Sequence, residues 1–168
     1  MGDPKRHRNK YKKPLKPWEA KRMAEESILV NDYGLKNKKE LWVTKSKIKR
    51  LRLQAKALIA ATSEQAEKEK KQLLDSLKIY KLLDSDKVED VLSLDTNNIL
   101  DKRLQTMVYR LALAKSQKHA RQLIVHGHVT VNGKKVNAPS YLVSALDKIE
   151  LKANEQNTKG VELIENAS

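Results

Sequence analysis

A chain of 168 residues is long enough for one ordinary domain or two small ones, and too short for a large catalytic domain. Its 35 Lys and Arg against 21 Asp and Glu leave a formal net charge of +14, so a polyanion is the natural partner, an acidic membrane surface being the other fit. The absence of Cys excludes disulfides and thiolate zinc sites, and seven aromatics with no Phe argue against a base-stacking platform.

No apolar run reaches the length of a membrane span, and the start "MGDPKRHRNK" lacks the apolar core of a signal peptide. A soluble, unexported protein suited to a reducing cytosol is therefore expected. The charge is segmented along the chain. Residues 1–56 carry 18 basic and 6 acidic side chains, residues 57–100 carry 6 and 9, residues 101–152 carry 10 and 3, and residues 153–168 carry 1 and 3. Two basic segments thus flank an acidic one.

In chain order, residues 1–17 place Pro4, Pro14 and Pro17 among Lys and Arg and hold too little apolar surface to fold alone. They are expected to be extended and ordered by a partner; a mere solubilising tail is the plainer alternative. From Thr44 the pattern turns helical, with Ile48, Leu51, Ala55, Leu58 and Ile59 as one apolar stripe and Lys45, Lys49, Arg52 and Lys56 on a neighbouring arc. Thr62 and Gln65 resemble a capping box opening a second helix that buries Leu73, Leu74, Leu77 and Tyr80. A short apolar segment, "VEDVLSL" at 88–94, leads to "DTNN" as a turn and cap.

A helix is predicted from about Asn98 to Ala114, with Leu100, Leu104, Met107, Val108 and Leu111 on its core face and Arg103 and Arg110 together at its edge. Ser116 then caps a second helix with Ala120, Leu123 and Ile124 inward and Lys118, Arg121 and Gln122 outward, stopped by Gly127. Asn132-Gly133 predicts a hairpin pairing Val131 with Lys134 and Val129 with Val136, and "DKIEL" supplies a further strand. Gly127 and Gly133 match no phosphate-cradling loop and read as cap and turn. The fold class is therefore α+β, in four parts: a basic, partly extended segment 1–43, a helical domain 44–98, a two-helix and short-strand module 99–152, and an acidic tail 153–168. Cations displayed on the module without a cleft suit a nucleic-acid backbone, held by Lys and Arg at phosphates and, in RNA, by 2′-hydroxyls.

The stretch "LDKRLQTMVYRLALAKSQKHARQLIVHGHVTVNGKKVNAPSY" resembles the S-four RNA-binding domain, whose fold is αL-like, over nearly all of residues 99–152. That module also occurs in pseudouridine synthases, some tRNA synthetases and a heat-shock RNA binder. "YGLKNKKELW" with the helix after it, and "VEDVLSLDTNNILDKRLQTMVYRLALAKS", are similar to the small-subunit ribosomal protein four family, and the "MGDPK" start and short tail resemble its archaeal members. Bacterial members often carry a cysteine zinc knuckle; this chain has no Cys, so no metal and no cofactor are carried over.

The resemblance implies a structural component of the small ribosomal subunit, cytoplasmic and ribosome-bound, with no enzymatic activity and no membrane partner. It implies direct binding of small-subunit rRNA at a multi-helix junction, nucleation of assembly and support of translational accuracy. Neighbouring small-subunit proteins are implied partners, as is mRNA near its entry channel. The candidate RNA-binding residues are Lys45, Lys49, Arg52 and Lys56 in the first half. In the module they are Lys102, Arg103, Arg110, Lys115, Ser116, Lys118, His119, Arg121, Gln122, His126, His128, Lys134 and Lys135. "HGHVTVNG" has no nearby acid to complete a metal site, so the histidines are expected to contact phosphate or to pack under the hairpin. Tyr33 and Trp42 have two readings, stacking on RNA or anchoring the core. The rivals are an RNA-modifying enzyme, which needs a catalytic domain that 57–95 cannot hold, and a free-standing RNA chaperone or ribosome-rescue factor.

Overall fold

A computed structural model describes residues 9–83 and 85–151. The first eight residues and the tail beyond 151 lie outside them, and so does the whole of the expectation for residues 153–168. The chain divides into two compact units, Met1–Leu100 and Asp101–Ser168.

The first unit is built on α2 (Lys38–Ala60), against which α1 (Ala20–Asp32), α3 (Glu64–Ile79) and a 3₁₀ helix (Val88–Ser93) pack. Leu41, Thr44, Ile48, Ala55 and Leu58 are its buried positions, spaced by threes, fours and one seven bridged by half-buried Leu51. The helix begins at Lys38, six residues before the expected start at Thr44. Asn37 supplies the reason: its side-chain oxygen accepts the Glu40 N–H at 3.2 Å and caps the helix. Ile59, expected in the stripe, is 40% exposed. The cap of α3 is Ser63 rather than Thr62, its Oγ accepting from the Ala66 N–H at 3.2 Å. Leu73, Leu74 and Leu77 are buried as expected, while Tyr80 is half-buried as the C-terminal cap.

Within the segment expected to be partly extended, α1 is a full helix of 13 residues. It ends with Gly34 in the left-handed region at φ 55° and the Leu35 N–H turned back to the Val30 carbonyl at 2.9 Å. This turn seats Leu35 with Leu41 and Leu100, and Tyr33 packs against them. Core anchoring is thus where the structure puts Tyr33.

The predicted helix 98–114 is broken. α4 (Thr96–Asp101) ends, Arg103 adopts an extended conformation at φ −72°, ψ 143°, and α5 runs from Leu104 to Arg110. The break has a tertiary cause. Arg103 bridges Leu142 in strand fashion, the Leu104 N–H reaches the Tyr141 carbonyl at 2.8 Å, and the Val143 N–H reaches the Lys102 carbonyl at 3.0 Å. Leu100 and Leu104 are buried, but Leu111, expected in the core, is 50% exposed. It caps α5, and the chain turns through Ala112 at φ 56° so that the Leu113 N–H bonds the Val108 carbonyl and Leu113 packs inward instead.

α6 (Gln117–His126) packs on α5 and is followed by β1 (Val129–Val131), β2 (Lys134–Lys135) and β3 (Ile149–Leu151), an antiparallel sheet in the order β2-β1-β3. Asn132 at φ 52° and Gly133 at φ 75° make the two-residue turn that puts Val131 opposite Lys134 as predicted. Asn132 also fixes the third strand, its oxygen accepting the Lys148 N–H at 2.9 Å and its amide donating to Asp147 at 2.8 Å. The core of the second unit is Leu104, Val108, Ala120, Ile124, Val129, Val131 and Val143 with Ala114.

Candidate nucleic-acid interface

On α2, Lys45, Lys49, Arg52 and Lys56 follow one another by threes and fours, so they share a helix face. The fold gathers all four on one groove of about 460 Å³ with Ile48, Leu53, Asp95 and Thr96. Two of the four also have work inside the protein. Arg52 donates to the Leu94 carbonyl at 2.6 Å and to Asp95 at 3.2 Å, tying down the exit of the 3₁₀ helix. Lys45 donates at 3.3 Å to Glu26, a carboxylate on α1 that is 1% exposed.

Glu26 also accepts from Arg22 at 2.9 Å and from the Trp42 indole at 3.1 Å. Burial pushes its carboxyl upward, yet these three donors outweigh that and hold it below the usual carboxylate range. Trp42 is therefore bound to a buried carboxylate through its edge while Tyr11 lies 6.2 Å from its ring centroid. A second groove, of about 470 Å³, runs along the adjoining face of α2 and is lined by residues 9–14 among others. Its Lys10, Lys12, Lys13 and Arg50 were not singled out in the sequence. With Arg22, five of the seven cations that line this groove carry no signal in the sequence beyond diffuse charge.

In the second unit Ser116 caps α6 as predicted, accepting the His119 N–H at 3.2 Å, and Gly127 ends it in the left-handed conformation at φ 76°. Lys118 and Gln122 are exposed and share a face with Arg121, at spacings of three and four. Arg121 is half-buried and donates to the Gln105 side chain at 3.3 Å; Gln105 is 1% exposed and donates onward to the Gln117 carbonyl at 3.0 Å. The guanidinium is thereby held in one orientation by a residue that periodicity assigns no role.

His119 accepts the Lys115 N–H on Nδ1 at 3.2 Å, which leaves its proton on Nε2 when the ring is neutral. His126 and His128 lie with ring centroids 6.3 Å apart. Lys134 and Lys135 are exposed at the hairpin, and the end of the Lys135 side chain lies over Gly127.

Arg103 and Arg110 do not form the expected pair at a helix edge. Arg103 stands at the helix break and is 5% exposed, while Arg110, in the last turn of α5, pairs with Asp101 at 2.7 Å. Lys102 is half-buried beside the break and Lys115 is exposed ahead of α6. Among the described residues, no three His, Cys, Asp or Glu side chains lie close enough to share a metal ion, and no helix is long and apolar enough to cross a membrane.

The model of the S4 domain family matches residues 102–149, the stretch from the helix break to the start of β3. Over 150 residues the chain is 49% identical to the small ribosomal subunit protein uS4 of Methanococcus aeolicus, covering 88% of this chain and 85% of that protein. Over 144 residues it is 45% identical to the uS4 of Ignicoccus hospitalis, covering 85% and 87%. The chain belongs to the uS4 family.

Both of these uS4 relatives are archaeal. They are ribosomal proteins, and a chain that matches them over almost its whole length is not an enzyme. The S4 domain of this uS4-family chain coincides with α5, α6 and the hairpin, the elements on which Ser116, Lys118, Arg121 and Gln122 stand.

Proposed function

We propose that the chain is a structural constituent of the small ribosomal subunit that binds small-subunit rRNA directly, at a multi-helix junction, nucleates assembly there and supports translational accuracy. The observation that carries this is the outward face of α6 within the S4 domain, where Lys118, Arg121 and Gln122 are presented on a capped helix with Lys134 and Lys135 at the hairpin. Such a surface offers donors to phosphates and 2′-hydroxyls without a cleft, so shape and backbone are read in preference to base sequence. The α2 cations supply a second basic surface on the other unit.

Lys45, Lys49, Arg52, Lys56, Lys102, Arg110, Lys115, His119, His126 and His128 complete the contact set, with Ser116 acting through its cap. Arg103 acts through the helix break rather than at phosphate, because its side chain is inside. The protein works in the cytoplasm bound to the ribosome, beside other small-subunit proteins and close to the path of mRNA. The test is copurification: the chain stays stoichiometric with small subunits through a high-salt wash. Loss under the wash, with binding to unrelated structured RNAs retained, would identify a free RNA chaperone and overturn the assignment.

A further inference from the structure

The groove between residues 9–14 and α2 has features that a phosphate-binding surface does not need. Trp42, Lys45, Ser46, Lys49, Arg50 and Leu53 give it one face of α2, over about 16 Å of helix axis. The facing chain is fastened at two points: the Lys12 N–H donates to Ser46 Oγ at 3.1 Å, and Tyr11 lies tilted by 32° against Trp42. At about 470 Å³ the space falls within the range of pockets that hold small organic groups. Of the described residues lining it, seven are cations and one, Glu26, is a carboxylate already held by Arg22, Lys45 and Trp42.

A duplex would use only the cations, since its bases are stacked away from the protein. Here an aromatic pair stands at one end of the same groove, and Leu53, 57% exposed, at the other. An apolar wall beside a row of cations matches a ligand with a flat, weakly polar part and a charged part. With seven aromatics in the chain there is no platform for a run of bases, but there is enough for one. Lys39 lies over the Tyr11 ring at 5.5 Å, and the two rings are too close to admit a base between them. Trp42, half-buried, lines the groove beside them.

We propose that this groove is a binding site for one unpaired nucleotide of an RNA strand, its base against Trp42 and its flanking phosphates at Lys12, Lys13 and Lys49. The inference rests on the RNA-binding reading above and adds that the first unit recognises a base out of the stack, not only a backbone.

The test uses the full chain and three hairpin RNAs: fully paired, with a single bulged nucleotide in the stem, and with an abasic bulge at the same place. Trp18, 87% exposed, is replaced in Trp18→Phe so that fluorescence reports Trp42 alone. The bulged hairpin is expected to bind about fivefold to a hundredfold more tightly than the other two and to quench Trp42. Trp42→Leu and Tyr11→Leu each remove that preference while keeping affinity for the paired hairpin. Should Trp42→Leu not fold, Tyr11→Leu and the quenching decide. Equal binding of all three hairpins without quenching overturns this proposal and leaves the RNA-binding function standing, whereas no binding to any hairpin or to small-subunit rRNA overturns both. Quenching by a glutamate-tyrosine copolymer but not by the bulged hairpin would assign the groove to an acidic protein partner.

Discussion

Glu26 shows how one side chain can serve both folding and the candidate interface. It organises Arg22, Trp42 and Lys45 around a carboxylate that is 1% exposed, so Lys45 is placed by α1 and not by α2 alone. Because its folded pKa lies below the ordinary value, its contribution to stability is fully present above that value and is lost as pH falls through the folded one. Glu26→Gln should cost about 1–3 kcal/mol at neutral pH and should flatten the acid limb of stability from about pH 5 downward. Denaturant melts from pH 3 to 7 check both. Asp147, lowered by the Ser144 N–H and by Asn132 and Tyr141, keeps its own acid sensitivity in that variant, so the difference between the two curves is the measure. Gly127 is the corresponding residue of the second unit. At φ 76° a side chain is strained, and a Cβ would meet the end of the Lys135 side chain. Gly127→Ala should therefore lose about 1–2 kcal/mol, read as a lowered melting temperature, and should displace Lys135 from the C-terminus of α6.

At the scale of elements, α6 gives the most direct test of the interface. Ser116→Ala should remove about 0.5–2 kcal/mol of stability through its cap. Lys118→Ala with Arg121→Ala should take the Arg121 donor away from buried Gln105, at about 1 kcal/mol of stability, and should in addition reduce the slope of log K against log salt, by at most about 0.9 for each phosphate contact on duplex RNA. Binding across a salt series beside thermal melts separates the two effects, and an unchanged slope in the double variant would show that this face does not meet RNA. The cap, the stop and the hairpin were legible because each is written in one or two residues: Ser116, Gly127, Asn132-Gly133. The helix break at Lys102–Arg103 was not, since its cause lies forty residues downstream at Tyr141–Val143 and the local apolar spacing runs straight through it. α1 was hidden for a different reason. Its one fully buried residue is Glu26, so the position that periodicity should mark as apolar carries a charge. On α2 the basic arc could be read from spacing, but the engagement of Arg52 with Leu94 and Asp95 could not, because it joins residues more than forty apart.

Over the whole molecule the charge of +14 is carried mostly by the first 56 residues and by the S4 domain, and it is not compensated within either. Lys10 and Lys12 lie in a stretch without helix or strand, so trypsin should cut after them in the free protein and more slowly when small-subunit rRNA is bound, the bonds after Lys13 and Lys16 being blocked by Pro14 and Pro17. Equal cleavage rates with and without RNA would contradict this. The strand-like pairing of residues 102–104 with 141–143 also bears on how the protein is made. It joins the opening of the S4 domain to a segment near its end, so nearly the whole domain is enclosed by one long-range contact that no local helix can replace. During synthesis α6 can form as soon as it emerges, but Leu104 and Val108 acquire Val143 as a neighbour only after the hairpin and the following loop have been added. Until then α5 has no fixed start, and a nascent chain stalled before Tyr141 would present α6 on an unfinished support.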